Sequence, residues 1–289
     1  MNLSSPSEVK ALLEQNGFRF SKAMGQNFLI DPHVCPRMAE VAVPDDSYGV
    51  IEVGPGIGVL TVELAKRAKK VVAVELDERL FPILDETLAD YGNVKVVPGD
   101  ILETDLHALI AEEFTEEDGT VLPLVLCANL PYYITSPVIM KLLSEHLPLE
   151  TLTVMVQKEA ADRLCADVGT REAGAVTVAI RYYAEAEQLF FVSRNCFLPA
   201  PKVDSEVIQF TLGEPEDPLE DEDGFFRMVK AAFGQRRKTI MNSLAAGLGL
   251  SKADLGMLLD DLGISRTARV EQLSMEQLLS VYKAAQNML

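Results

Sequence analysis

Three glycines stand between a short apolar run and an amphipathic stretch in Ile51-Glu-Val-Gly-Pro-Gly-Ile-Gly58. They could bring bare backbone amides up to a ligand at the start of a helix over Val59–Ala68. Gly54, Gly56 and Gly58 are spaced G-x-G-x-G, and a pyrophosphate-binding turn needs one more residue before its last glycine, which weakens a dinucleotide site. Glu75 closes the next apolar run, where a carboxylate can accept both hydroxyls of a ribose. Asp100, in Gly99-Asp-Ile101 after the third run, could bond to an adenine edge. Taken singly, a glycine turn is often simple chain reversal, and an acid at a strand end is usually a solvated cap. Three such features in successive strand-to-helix turns point to a nucleotide-type cofactor, and the glycine spacing favours S-adenosylmethionine over NAD.

After the fourth apolar run comes Asn129-Leu-Pro-Tyr132, followed by Tyr133-Ile-Thr-Ser-Pro137. An exocyclic adenine amine is a poor nucleophile because its lone pair is delocalised into the ring. Acceptors that bind its two N–H groups draw that pair out of conjugation. The Asn129 side-chain oxygen and the Leu130 carbonyl, fixed by Pro131 with its locked φ and missing donor, could serve as those acceptors. Tyr132 would stack on a flipped base. No strong general base is needed, since a sulfonium supplies both the positive charge and the leaving group, so most of the catalysis would be positioning. The bland alternative is a turn, since Asn and Pro are common in loops. A hydride transfer has no use for this tetrapeptide.

The elements that must hold these residues follow from periodicity. From about residue 48 to 212, short β-branched runs alternate with helical stretches, which predicts an α/β fold with a largely parallel sheet covered on both faces. The expected strands are Val50–Val53, Val71–Val74, Val94–Val97, Leu122–Cys127, Leu152–Val156, Val176–Tyr182 and Val207–Leu212, with Gln188–Val192 as a possible extra. The last of these leave no room for a full crossover helix, so an antiparallel edge is expected. The first 47 residues read as helical, broken by a loop from Gly25 to Pro32, with a frayed leader before Val9. Beyond an acidic linker, several helices and no strand are expected, with Ser251 and Ser274 as N-caps. The division predicted is 1–213 for the catalytic part, 214–223 for the linker and 224–289 for a helical domain.

No apolar run reaches membrane-spanning length and the start lacks a signal pattern, so a cytoplasmic protein is expected. Cys35, Cys127, Cys165 and Cys196 are scattered and only three His accompany them, which predicts neither a disulfide framework nor a metal site. The formal charge of −18 would repel a polyanion if evenly spread. It is not: seven of the ten residues 214–223 are acidic, whereas Gly224 to Lys252 holds no acid and six bases. On a helical wheel Arg236 and Arg237 fall beside the stripe Phe226, Val229, Phe233, Ile240 and Leu244. Either Gly234 breaks the helix or the arginines leave the stripe's margin to reach phosphate. A solvated face opposing the acidic linker is the competing reading.

Several segments together are highly specific: Gly25-Gln-Asn-Phe-Leu-Ile-Asp31, Glu52-Val-Gly-Pro-Gly-Ile-Gly58, Asn129-Leu-Pro-Tyr132, Gln157-Lys-Glu159, Phe197-Leu-Pro-Ala-Pro-Lys-Val-Asp-Ser205 and Phe233-Gly-Gln-Arg-Arg-Lys-Thr-Ile-Met-Asn-Ser-Leu244. Across nearly the whole chain they resemble the ribosomal RNA adenine dimethyltransferases that act on the small subunit. The resemblance implies a class I methyltransferase domain, Rossmann-like with a seven-stranded mostly parallel sheet, plus a small all-helical domain. It also implies a monomer that uses S-adenosylmethionine to make N6,N6-dimethyladenosine at two adjacent adenosines near the 3′ end of 16S rRNA, in a late assembly particle. It implies that Gln26, Asn27 and Leu29 cover the cofactor, Gly54 and Gly56 contact its methionine end, Glu75 its ribose and Asp100 its adenine. Asn129 would hold the methionine end and the target amine, and Tyr132 and Phe197 would sandwich the base. Without the resemblance, Phe197 reads as core and Lys202 as a solvated charge; with it, Lys202, Arg236, Arg237 and Lys238 are expected at RNA. Met24 stands where the family usually has a leucine, a volume-conserving change. Two other readings remain: a large-subunit adenine methylase of the antibiotic-resistance type, and a non-catalytic assembly factor on the same fold. A DNA-adenine or protein-glutamine methylase would more often carry a second proline where Leu130 stands.

Overall fold

The computed structural model describes residues 1–20 and 26–286 of the chain; Met24 and Gly25 lie outside them. Nine strands form: β1 Phe28–Leu29, β2 Gly49–Val53, β3 Lys70–Glu75, β4 Val94–Pro98, β5 Leu124–Asn129, β6 Leu149–Gln157, β7 Ala184–Val192, β8 Phe197–Leu198 and β9 Ser205–Leu212. Seven of them make one sheet in the order β4-β3-β2-β5-β6-β9-β7, and β1 and β8 pair apart from it in an antiparallel two-stranded sheet. From β4 to β6 the pairs are parallel, and β6 meets β9 antiparallel, which supplies the expected antiparallel edge. Chain order runs outward from β2 through β3 to β4, then restarts at β5 on the other side of β2. That reversal opens a crevice at the carboxyl ends of β2 and β5, where open α/β sheets bind ligands.

The central strands are apolar because helices cover both faces. Every residue of β2 is buried, and Glu52 is the one charged side chain among them. One core cluster gathers Met38, Leu60, Leu64, Val71, Val125 and Val207; a second gathers Leu12, Ile57, Ile83 and Leu84. The N-terminal helix Pro6–Gln15 starts earlier than the expected frayed leader, because Ser5 caps it from the Glu8 amide and Pro6 occupies its first turn.

One expected strand is a helix. Val176–Tyr182 lies within the helix Ala175–Tyr183, and the strand in its place is β7, which contains the optional Gln188–Val192. The run is β-branched and apolar almost throughout, and periodicity over so few residues cannot separate a buried strand from a buried helix. Polar ties settle it. The Gly174 amide donates to Thr177 Oγ1 at 2.9 Å, that hydroxyl donates to the Arg163 carbonyl, and Arg181 donates to the carbonyls of Cys165 and Ala166.

Two compact units result, Met1–Ala161 with Glu187–Leu212, and Asp162–Ala186 with Gly213–Leu289. Residues 162–186, expected in the catalytic part, thus group with the C-terminal helices. Within this second unit Tyr182, Tyr183, Phe225, Phe226 and Tyr282 form an aromatic cluster. The acidic stretch is knitted into the same unit. Tyr183 donates to Glu222, Tyr282 to Asp221, and Lys283 pairs with Asp217. Asp221 also caps the helix Glu222–Phe233, so that helix begins inside the expected linker. Gly234 ends it, and Thr239 caps a new helix, Ile240–Leu248. Ser251 and Ser274 are N-caps as expected, the latter in a full capping box with Gln277.

Candidate active site

At the carboxyl ends of β2 to β5 lies a cleft holding about 1070 Å³ of space, open on one side to solvent. Gly54, Gly56 and Gly58 line or adjoin it with φ of 67°, 62° and 85°, a region side chains avoid. At Gly56 a Cβ would also press on the Phe28 ring at 3.1 Å. Glu75 ends β3 with its carboxylate facing the same space; the Gly56 amide donates to Oε2 at 3.2 Å and the Asp77 amide to Oε1 at 2.8 Å. Burial pushes Glu75 above the usual carboxylate range while these amides pull it back. Asp100 follows β4, its Oδ1 accepting from the Leu102 amide, and also lines the cleft.

Asn129 ends β5 at the cleft wall, and its side-chain amide makes no hydrogen bond among the described residues. The Leu130 amide is anchored on the Met155 carbonyl at 3.2 Å. The Pro131 carbonyl is taken by the Ile134 amide and the Thr135 hydroxyl, which tie the tetrapeptide to the start of the helix Thr135–Ser144. Tyr132 is steered by its hydroxyl, 3.0 Å from Ser205 Oγ. All four residues line the cleft that the glycine loop lines, so the cofactor signals and the amine signals share one chamber.

Gln26, Asn27 and Leu29 line its rim. Gln26 donates to Asp77 Oδ2 at 2.6 Å, and Arg79 grips both oxygens of Asp77, holding that carboxyl below its ordinary range. Leu29 pairs with Phe197 across the β1–β8 ladder, and Phe28 with Leu198. Phe197 is buried, 3% exposed, and belongs to a core cluster while edging into the cleft. The ring is thus a core side chain that also lines the cleft. Its loop is closed by Arg194, whose guanidinium takes both Asp204 oxygens and holds that carboxyl down at about 2.

The basic residues separate. Lys202 is exposed on the loop between β8 and β9, outside the cleft. Arg236, Arg237 and Lys238 stand in the second unit, between its helices Glu222–Phe233 and Ile240–Leu248. Arg236 donates to the Arg171 carbonyl at 2.6 Å and so is partly spent within the fold.

Two residues escaped the sequence reading. Asp77 was visible two places after Glu75, but its task of holding Gln26 depends on chain that is remote in sequence. Glu52 sat inside the quoted motif as the one charge in an apolar strand, which is the signal that could have found it. It is 1% exposed, lines the cleft, and its Oε2 has no hydrogen-bond partner. Burial pushes it up to about 8. An orphaned buried carboxyl beneath the glycine loop calls for a ligand bearing a cation, as the α-ammonium of S-adenosylmethionine does. With Glu75 placed for a ribose and Ile57, Leu80 and Ile101 as an apolar lining, the residues fit that cofactor.

A family profile described as ribosomal RNA adenine dimethylase matches residues 17–287. Among curated relatives, ribosomal RNA small subunit methyltransferase A of Geobacillus sp. strain WCH70 is 45% identical over 292 residues, covering 100% of this chain and 99% of the relative. The protein of the same name from Geobacillus thermodenitrificans is 47% identical over 287 residues, covering 98% and 97%. Among solved structures, a dimethyladenosine transferase from Plasmodium falciparum aligns with TM-score 0.71 and 26% identity, over 90% of this chain and 98% of that one. A 23S rRNA methyltransferase, ErmE, aligns with TM-score 0.63 and 31% identity, over 90% and 100%. With the glycine loop, the Asn129–Tyr132 segment and the helical unit all inside the matched span, the chain belongs to the ribosomal RNA adenine dimethylase family.

Proposed function

We propose that the chain transfers methyl groups from S-adenosylmethionine to the N6 amines of two adjacent adenosines near the 3′ end of 16S rRNA, giving N6,N6-dimethyladenosine in the small ribosomal subunit, and that it does so in the cytoplasm. The observation that carries this reading is the unpartnered Asn129 amide beside Leu130 and Tyr132, in the same cleft as the glycine loop and Glu75.

The bound cofactor supplies an electrophilic methyl group on a sulfonium. Glu75 would hold its ribose, Asp100 its adenine, Gly54, Gly56 and Glu52 its methionine end, and Gln26, Asn27 and Leu29 would cover it. Asn129 Oδ1 and the Leu130 carbonyl accept the two N–H groups of the target amine and turn its lone pair towards the methyl. Pro131 keeps that carbonyl in place, and Tyr132 and Phe197 hold the base. As the new N–C bond formed and the methyl's bond to sulfur broke, leaving a neutral thioether, the amine nitrogen would become cationic and pass its proton to water, so the protein needs no strong base. Pre-alignment of the reacting atoms is the main source of rate.

The assay is methyl transfer from labelled S-adenosylmethionine to unmethylated small and large ribosomal subunits, with digestion to nucleosides. N6,N6-dimethyladenosine from the small subunit alone is expected. Label in the large subunit would select the resistance-type reading, against which the higher identity to small-subunit relatives argues. Cofactor binding with no transfer would select the non-catalytic reading. Glu75→Ala is expected to weaken cofactor binding by about two orders of magnitude in calorimetry, since it strips two ribose hydroxyls of a charged acceptor at ~1.5–3 kcal/mol for such a bond. An unchanged Kd would refute the ribose assignment.

A further inference from the structure

The second unit contains a hollow of its own, holding about 810 Å³ of space. Its floor is apolar: Ala245 and Ala246 from the helix Ile240–Leu248, and Leu250 after it. Four polar side chains stand around that floor, Gln235, Lys238, Asn242 and Lys252. None of the residues lining it is acidic, in a chain with a formal charge of −18.

The state of those polar groups is informative. Lys69, Lys70, Lys95 and Lys283 are all paired with carboxylates. The amines of Lys238 and Lys252 make neither an ion pair nor a hydrogen bond among the described residues, and the same holds for the side-chain amide of Gln235. Asn242 is held through its nitrogen, which donates to Thr239 Oγ1 at 2.9 Å, and this turns its oxygen out as an acceptor. Two free cations, one free amide and one oriented carbonyl thus surround a patch of small aliphatic surface. A phosphate satisfies the lysines, a flat heterocycle covers the alanines, and a base edge has both donors and acceptors to meet the amides. A protein segment would not need the paired cations, and a duplex backbone would not need the floor.

We propose that this hollow is a nucleotide pocket that takes one unpaired nucleotide of the ribosomal RNA substrate, its phosphate on Lys238 and Lys252 and its base over Ala245 and Ala246. RNA is read in sequence mainly through such unstacked bases. The pocket is separate from the cleft that methylates, and it gives the helical unit a recognition task beyond charge attraction. The inference rests on the rRNA dimethyltransferase reading above.

The test measures binding of the full-length chain to unmethylated small ribosomal subunits across a salt series. Ala246→Phe fills the hollow from an exposed position without changing charge. It is expected to weaken binding tenfold or more at every salt concentration, with the salt slope and cofactor affinity unchanged. Lys252→Gln is expected to weaken binding and to lower the slope by about 0.7, the loss of one phosphate contact to an unpaired strand. Gln235→Ala, which has no internal bond to lose, should weaken binding three- to tenfold without touching the slope. Lys283→Gln, in the same unit but paired to Asp217, should leave binding within twofold. Wild-type binding by both Ala246→Phe and Gln235→Ala overturns the pocket even if Lys252→Gln lowers the slope, because only surface charge would then be at work. If the wild-type chain methylates small subunits while Ala246→Phe and Gln235→Ala both bind normally, the pocket alone falls. If the wild-type chain neither binds nor methylates them, the function reading falls and takes the proposed occupant with it.

Discussion

Asn129→Ala should cut formation of dimethyladenosine about 10²–10³-fold in single-turnover measurements, the usual loss when one preorganised partner of the developing charge is removed. The reason lies in geometry. Asn129 ends β5, its backbone set by the sheet and its side chain left without an internal partner, so its oxygen is reserved for whatever enters the cleft. The first N–H of the target amine then has no acceptor in the variant, and the lone pair stays conjugated with the ring. Cofactor affinity should move by less than about tenfold, since Glu75, Asp100 and the glycine loop remain; that contrast separates a lost catalytic contact from a collapsed site. Transfer at the wild-type rate would show that the amine is activated elsewhere.

Glu52→Gln should change how cofactor binding responds to pH. In the free protein burial holds this carboxyl protonated up to about 8, against 4.5 ordinarily, with the Glu75 carboxyl adding to the rise and the buried Cys35 and Cys127 thiols near it. A ligand ammonium beside it favours ionisation, so binding releases a proton below pH 8. Affinity should therefore fall as pH drops below 8, approaching tenfold per unit, and should fall again on the alkaline side as the cofactor's own amine, with a pKa of ~8, loses its charge. The glutamine variant keeps the shape but has no proton to release, so the acid limb should flatten. Calorimetry in buffers of different ionisation enthalpy reads the proton directly.

The same group makes the unliganded fold sensitive to pH. Below about 4.5 the carboxyl is protonated in both folded and unfolded chains. From there to about 8 the unfolded chain ionises while the folded one holds its proton, so stability is lost as pH rises, by on the order of 5 kcal/mol in all. Glu52→Gln should remove that part of the slope from thermal melts, and saturating cofactor should reduce it in the wild type.

Much of this site was legible because strand-to-helix turns at a parallel sheet's carboxyl edge are contiguous in sequence. Gly54, Gly56, Glu75, Asp100 and Asn129 each close or follow a strand whose β-branched run announces it, and the structure gathers them in one cleft. What hid were relations between distant segments. The register that sets Leu29 against Phe197, and the bond by which Asp77 holds Gln26, leave no local pattern. The run Val176–Tyr182 misled for the opposite reason. Its local preference for strand is overruled by Thr177 and Arg181 reaching the carbonyls of Arg163, Cys165 and Ala166. In the acidic patch from Glu112 to Asp118, too, the partners are remote in sequence: Glu113 accepts from Lys70 and Lys95, and Glu116 from Lys69.

The ladder between β1 and β8 also bears on the order of events in turnover. Its two strands carry Leu29 and Phe197, which both line the cleft and which the proposed mechanism sets at the cofactor and at the base, and the Ile30 amide extends the pairing to the Cys196 carbonyl. Fixing one strand fixes the other, so cofactor and adenine binding reinforce each other by the same factor in both directions. On those roles, exchange of spent cofactor between methyl transfers would weaken the hold on the base, through a ladder of two residue pairs.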